Sequence, residues 1–453
     1  MGAPVPASCF GIVSGFSTEL CCVTRGALAN RTGAVPTLEL FPTWTMVPFA
    51  VLVLGIAVFP LALPQAWGRH DFQIFVTLLC ALPVGAFLVK HGHGDHLRAS
   101  ATSYVSFVVT IAALYVTASG VYVSGDIEAR PRTNVAFLLA GSLLASVIGT
   151  TGASILLIRP ILRTNRQRTR RNHIVPFFIL AVSNAGGLLT PLGDPPLLLG
   201  YLEGVPFLWT LQLLPYWTLY VGAITAAFYF IERRAHAGEP AAARARDRAE
   251  IEPLGINGRR NIPLLMCLVG AVLLPAGWRE IAIASIAAVS YFTTPARVHQ
   301  QNGFSFGPII EVAILFAGLF ACLAPLEFNL ARAAPTLPIH HAWQLFWGSG
   351  ALSSVLDNAP TYAAFSALAR GLSEGQQGLV AGVTPVKLAA VSVGSVVMGA
   401  TTYIGNGPNL MVKAIAERSG YAMPSFARYG MFAIAILFPI HMVTTAAFVL
   451  LER

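Results

Sequence analysis

The chain has 453 residues, 55% of them hydrophobic and only 11% charged, with a mean hydropathy of +0.67. A soluble domain carries about 25% charged residues, so this composition excludes an ordinary water-soluble fold and describes a polytopic membrane protein. The net charge of +9 comes from basic residues clustered between apolar runs, which points to loop asymmetry across a bilayer and away from nucleic acid.

Residues 1–45 read as a disordered N-terminal extension, because they lack the basic start and the long apolar stretch of a signal peptide. Runs that approach or reach the roughly 20 apolar residues needed to span a bilayer follow at about 46–64, 72–90 and 103–124, with a further apolar run at 134–158. The loop 159–173 holds Arg159, Arg163, Arg166, Arg168, Arg170 and Arg171 and no acid. Spans at 174–200 and 207–231 complete a first half, 46–231. A charged linker, 232–261, leads to a second half, 262–453, with runs at 262–276, 279–294, 306–326, 343–369, 385–412 and 429–450. Two spans separate the two arginine-rich segments, so both fit the cytoplasmic side of an inner membrane. The loop Lys90–Arg98 then lies outside, and its His91, His93 and His96 read as solvated rather than metal-binding. The six cysteines, Cys9, Cys21, Cys22, Cys80, Cys267 and Cys322, have no metal-ligand spacing.

The stretch Ala181–Leu202, AVSNAGGLLTPLGDPPLLLGYL, is apolar yet contains Asn184, Gly186-Gly187, Thr190, Pro191, Gly193-Asp194 and Pro195-Pro196. Proline removes an amide donor and clashes with the preceding turn, so this run cannot be one helix. Broken backbone at membrane depth is tolerated where protein buries it or where it lines a polar cavity. Asp194 sits at the break, and a mid-membrane carboxylate costs roughly 2.5–3.5 kcal/mol, which marks a binding site.

Two segments recur across the linker. Leu144–Ala153, LASVIGTTGA, aligns with Leu352–Thr361, LSSVLDNAPT, each ending in a polar, helix-breaking tip. Thr190–Leu198, TPLGDPPLL, aligns with Thr402–Leu410, TYIGNGPNL, placing Gly193 on Gly405, Asp194 on Asn406 and Pro196 on Pro408. Interrupted hydrophobic segments at corresponding positions of two halves point to the midplane site of a secondary transporter. If 262–294 makes two spans, the repeats are inverted.

At AGGLLTPLGD (Ala185–Asp194) and LDNAP (Leu356–Pro360) the chain resembles the ion transporter superfamily. Within it the chain looks like NhaD-type sodium/proton antiporters and the related CitMHS-like citrate-transporter group. The resemblance covers nearly the whole chain from about residue 45, on motifs of about 40 residues. It implies an all-α polytopic fold with an inverted repeat, two re-entrant helical hairpins (about 134–158 and 343–369) and two broken transmembrane helices (about 174–200 and 385–412). It also implies a separate scaffold, elevator-type motion and a homodimer. The chain departs from the antiporter pattern in having Pro195-Pro196 after the Gly-Asp pair, where hydroxyl residues are usual. Its first tip also carries Thr150-Thr151 without an acid.

The side chains at these tips and breaks decide the sign of the substrate. Asp194 and Asp357 are acids, and Thr150, Thr151, Asn184, Thr190, Asn358, Thr361, Thr402, Asn406 and Asn409 are neutral oxygen donors. No Lys or Arg lies among them. Hard oxygen ligands suit a cation such as Na⁺, and buried carboxylates close together let a proton compete for the same oxygens. The expected function is therefore a sodium/proton antiporter exchanging Na⁺ or Li⁺ for H⁺, with Na⁺ held by Asp194 and Asp357 and Glu311 as a proton relay. The alternative is a Na⁺- or H⁺-coupled transporter of citrate or another di- or tricarboxylate. Asp194 or Asp357 could instead serve only as a helix cap, and the polar tip residues could satisfy freed backbone groups. His441 and Lys413 read as packing and snorkelling residues. No cofactor beyond the moving ions is expected, nor a nucleic-acid partner. The absence of a phosphate-binding glycine loop, of helical zinc-ligand spacing and of a sizeable soluble domain argues against an enzyme.

Overall fold

The computed structural model describes residues 41–452. The expected extension at 1–45 therefore lies outside the described residues up to Leu40, and its end, from Thr43, enters a single 3-10 turn, Thr43–Met46. In chain order the helices are α1 (Val47–Ala62), α2 (His70–Lys90) and α3 (Gly94–Ser119), then the strand β1 (Tyr122–Asp126). Next come α4 (Pro131–Thr164), α5 (Ile174–Ala181), α6 (Pro195–Leu202) and α7 (Leu214–Ala237). The linker forms α8 (Ala241–Ala249) and β2 (Glu252–Asn257). The second half has α9 (Asn261–Ala271), α10 (Trp278–Thr293), α11 (Ala296–Asn302) and α12 (Gly307–Ala333). It ends with α13 (Ala342–Ser353), α14 (Asn358–Gly371), α15 (Pro385–Met398), α16 (Gly407–Arg418) and α17 (Phe426–Leu451). Among the described residues, seven helical stretches are long and apolar enough to cross a membrane, so this is a multi-pass, mostly helical membrane protein.

The helices pack as two groups. One joins α1, α2 and α3 to α9, α10 and α12; the other joins α4–α7 to α13–α17. The groups meet where α14 lies on α12 and where α4 and α6 lie on α3.

Helix α3 begins at Gly94, well before the expected 103, and shrinks the histidine loop to a turn. Asp95 in its first turn complements the helix N-terminus, and the rings of His93 and His96 meet Phe41 edge-on at 4.9 and 6.3 Å. The 262–294 segment makes two antiparallel helices. Asn261 Nδ2 donates to Gly120 O and to Thr294 Oγ1, both at 2.8 Å, so α9 starts and α10 ends beside the end of α3.

A straight helix as long as α4 would measure about 50 Å, yet its ends touch. The amides of Asn134 and Asn165 bond reciprocally at 2.9 and 2.8 Å. The fold-back is at Gly149, whose φ of 82° and ψ of 152° are essentially closed to residues with a Cβ. In the second half the hairpin is α13 and α14, parted at Asp357, whose carboxylate accepts from Asn358 N at 2.8 Å and so caps α14.

The open end of α4 carries a buried polar hub. Arg168 pairs with Glu232 and lies 3.5 Å from Glu239. Glu232, fully buried, also meets His173 Nε2 at 2.7 Å and Asn134 Nδ2 at 2.8 Å. The linker closes over the same face: β2 pairs antiparallel with β1, and Arg166 reaches Glu250 at 2.7 Å. Arg130 and Arg248, both bonded to Glu128, hold its carboxyl below the usual range. The two arginine-rich segments expected on one side thus lie together on one face of the protein, the basic face.

Removing one partner of a buried ion pair costs about 3–5 kcal/mol. Glu232→Ala is expected to fall at the low end, because Glu239 remains beside Arg168. The check is the unfolding temperature of the detergent-solubilised protein, with the exposed Glu250→Ala as control.

Candidate functional site

Both predicted breaks are present, and they share a backbone path. In the first, a 3-10 turn at Ala185–Leu189 leads to Thr190 in an extended conformation (φ −137°, ψ 160°) and then to Asp194 (φ −149°, ψ 147°), which precedes Pro195 at the start of α6. In the second, Gly399–Thr401 leads to Thr402 (φ −131°, ψ 168°) and Asn406 (φ −155°, ψ 136°), with Pro408 in the first turn of α16. The side-chain anchors correspond too. Thr190 Oγ1 donates to Ser146 O at 2.5 Å, and Thr402 Oγ1 to Ser354 O at 2.6 Å. Carbonyls freed by the breaks are taken by the fourth residue of the next helix but one, α7 or α17: Trp217 Nε1 bonds Gly186 O at 3.2 Å, and Tyr429 Oη bonds Ala400 O at 2.8 Å.

Asp194 lies where all four interrupted elements meet, and it is 2% exposed. Thr150 Oγ1, on the first tip, donates to Oδ1 at 2.7 Å. Asn358 Nδ2, on the second tip, donates to Oδ2. Asn406 Nδ2, from the second break, approaches Oδ1 at 3.2 Å. In the aligned repeats Thr150 corresponds to Asn358 and Asp194 to Asn406, so equivalent residues of the two halves converge on one carboxylate. Three donors thus satisfy the oxygens of one buried carboxyl.

The remaining predicted residues divide. Asn184 bridges the halves by donating to Asn409 Oδ1 at 2.8 Å and accepting from Asn406 Nδ2 at 3.2 Å. Asn409 Nδ2 in turn holds Gly399 O and Thr402 O at 3.0 and 2.9 Å. Thr190, Thr402 and Thr361 spend their hydroxyls on carbonyls, Thr361 on Asp357 O at 2.9 Å, and none reaches Asp194. Thr151 and Asp357 line a cavity of about 390 Å³ together with Thr150 and Asp194.

That cavity runs between the two helix groups. Its far wall is apolar, from Ile56, Leu114, Leu315 and Phe316, and toward the basic face it includes Trp67 and Glu311. Trp67 Nε1 donates to Glu311 Oε1 at 3.2 Å, so the expected relay residue sits in the same cavity as both aspartates but on the opposite group. No Lys or Arg is among the lining residues. His441 packs in the core with Nδ1 2.7 Å from Tyr220 Oη, and Lys413 pairs with Glu417 at 2.8 Å, so neither is part of the centre. Ser146 and Ser354, whose carbonyls fasten the breaks to the tips, are not among the residues expected from sequence, although they occupy matching places in the aligned segments.

A search of curated proteins finds no match to this chain. A family model described as "Putative citrate transport" (CitMHS_2) matches residues 38–449. That span takes in both tips, both breaks and all but the last residues of the helical body. The chain therefore belongs to this citrate-transport family of multi-pass membrane proteins.

Proposed function

We propose that the protein is a secondary active transporter that exchanges Na⁺ or Li⁺ for H⁺ at Asp194 and Asp357. The observation that carries this reading is the set of groups around Asp194: hydroxyl and amide side chains from both halves, with no cationic side chain along the cavity. Each Asn has an oxygen beside its donor nitrogen. The same residues that donate to the carboxylate can thus turn an oxygen toward a bound cation, and a proton on the carboxylate displaces it. Glu311 passes protons between the basic face and the aspartates across the cavity.

The matching breaks, tips and helix-following donors support an inverted repeat. The even pair α9–α10 and the hairpin ends support it as well: Asn134 meets Asn165 at the basic face, while Ala342 N bonds Glu452 at 2.6 Å at the far end of α17. In this reading α4–α7 and α13–α17 form a transport unit that slides past the other helices as an elevator, within a homodimer in the inner membrane, the basic face being cytoplasmic.

A second reading is coupled transport of citrate or another di- or tricarboxylate, favoured by the family description and by a cavity roomy enough for a small organic molecule. The aspartates would then hold coupling cations. Acridine-orange dequenching in everted vesicles separates the two. Na⁺ or Li⁺ is expected to release protons, and Asp357→Asn is expected to reduce this about tenfold or more, as for loss of one bond to a charged group. Silence with cations, together with Na⁺-dependent uptake of labelled citrate, would replace the first reading by the second.

A further inference from the structure

On the face opposite the basic one, three charged side chains from three elements meet outside the site. Arg370, in the last turn of α14, lies 3.3 Å from Glu203, just past the end of α6, and 3.7 Å from Glu327 of α12. All three are largely enclosed, and Glu203 Oε1 is buried without a hydrogen-bond partner. One guanidinium thus serves two carboxylates. Beside them the backbones are nearly in contact: a Cβ on Gly371 would stand 1.9 Å from Ala331 O. Hairpin α13–α14 is docked on α12 at this point.

The three charges do not belong to one body. Glu203 and Arg370 are in the group with both hairpins, and Glu327 is in the other. If the groups slide past each other, Arg370 and Glu203 leave together. Glu327 stays behind on α12 with no cation. The charged groups that face it are Arg370 from α14 and Glu203 from the end of α6; Tyr362 of α14 faces Glu203 in turn. Among the described residues, α1, α2, α3 and the 3-10 turn Thr43–Met46, packed on α12 from other sides, set no charged group against it. An ionised carboxylate left unpaired at that depth is strongly disfavoured, and taking up a proton is the simplest relief.

We propose that Glu327 is a proton-binding group of the transport cycle, ionised and paired with Arg370 while the hairpin is docked and protonated when the hairpin leaves. This rests on the sliding motion proposed above. A proton taken up at Glu327 would be separate from any proton exchanged at Asp194, so the hairpin is released more readily at low pH and held at high pH.

The test is a distance measurement by electron paramagnetic resonance on the full-length, cysteine-free chain in lipid vesicles. Spin labels go at exposed Lys90, at the end of α2, and Gln377, beyond α14. The docked population is expected to grow from pH 6 to pH 9 in the parent chain. In Glu327→Gln at pH 9 it should match the parent at pH 6, whereas Glu327→Asp, still ionisable, should keep the pH response. A distance that responds to Na⁺ but not to pH, or an unchanged pH response in Glu327→Gln, overturns the role of Glu327 and leaves the sliding motion standing. A distance that changes under neither Na⁺ nor pH overturns the motion itself.

Discussion

Asp194→Asn is expected to bring Na⁺- and Li⁺-driven proton release to background, a loss of at least about 100-fold, equivalent to about 2.7 kcal/mol. The substitution keeps the shape and removes the charge, but it also reverses one hydrogen bond. The new amide nitrogen must face the donors of Thr150 and Asn406 on one side or that of Asn358 on the other. Two donors facing each other in a buried site leave at least one unsatisfied. The variant would therefore both lose the cation and loosen the junction of the two tips. The measurement is dequenching in everted vesicles at matched protein amounts, with the unfolding temperature as a control for folding. Loss of one electrostatic partner in a dry site costs a factor of about 100 or more. Exchange within about threefold of the parent would therefore show that the Asp194 carboxyl serves only to join the two tips and would move the ion site elsewhere.

The second large effect concerns backbone. Gly193→Ala is expected to abolish transport and lower the yield of folded protein, because its Cβ would stand 2.0 Å from Gly187 O and 2.7 Å from Gly187 C. These are main-chain atoms of the same break, so no side chain can swing aside. Gly193 O also accepts from Thr150 N at 2.8 Å, and parting the break pulls the first tip off Asp194. A cost above about 3 kcal/mol is expected for overpacking against rigid backbone. Gly222→Ala is the control: nothing lies within 4 Å of its Cβ position, and alanine in a helix interior is about 1 kcal/mol better than glycine. Equal unfolding temperatures and activities for the two variants would contradict the close approach described here.

Much of the centre is legible in the sequence because proline and glycine announce broken helices directly. The Gly-Asp-Pro and Gly-Asn-Gly-Pro runs locate both breaks, and the aligned tips place Thr150 opposite Asn358. The start of α3 is not legible, because Lys90–Arg98 is polar and polarity says nothing against a helix whose first turn carries an acid. The threonines are ambiguous for a physical reason: a hydroxyl at a break can serve an ion or an orphan carbonyl, and Thr190, Thr361 and Thr402 serve carbonyls. The charge clusters are invisible. Arg168 with Glu232, and Arg370 with Glu203, are separated by 64 and 167 residues, and lone charges at such distances leave no periodic trace. The ribbon β1–β2 gives no signal because each strand is short and finds its partner across the chain.

The clasp around Asp194 also has a consequence for biogenesis. Its donors are far apart in the chain: Asn358 lies 164 residues downstream and Asn406 lies 212. At translation rates of about 5–20 residues per second, the first half waits roughly 10–40 s for the last of them. Until Asn358 is made, Thr150 is the only one of the three donors present. The centre is therefore one of the last parts of the molecule to close, and a chain that stops short of Asn406 lacks one of the three donors to its buried carboxyl.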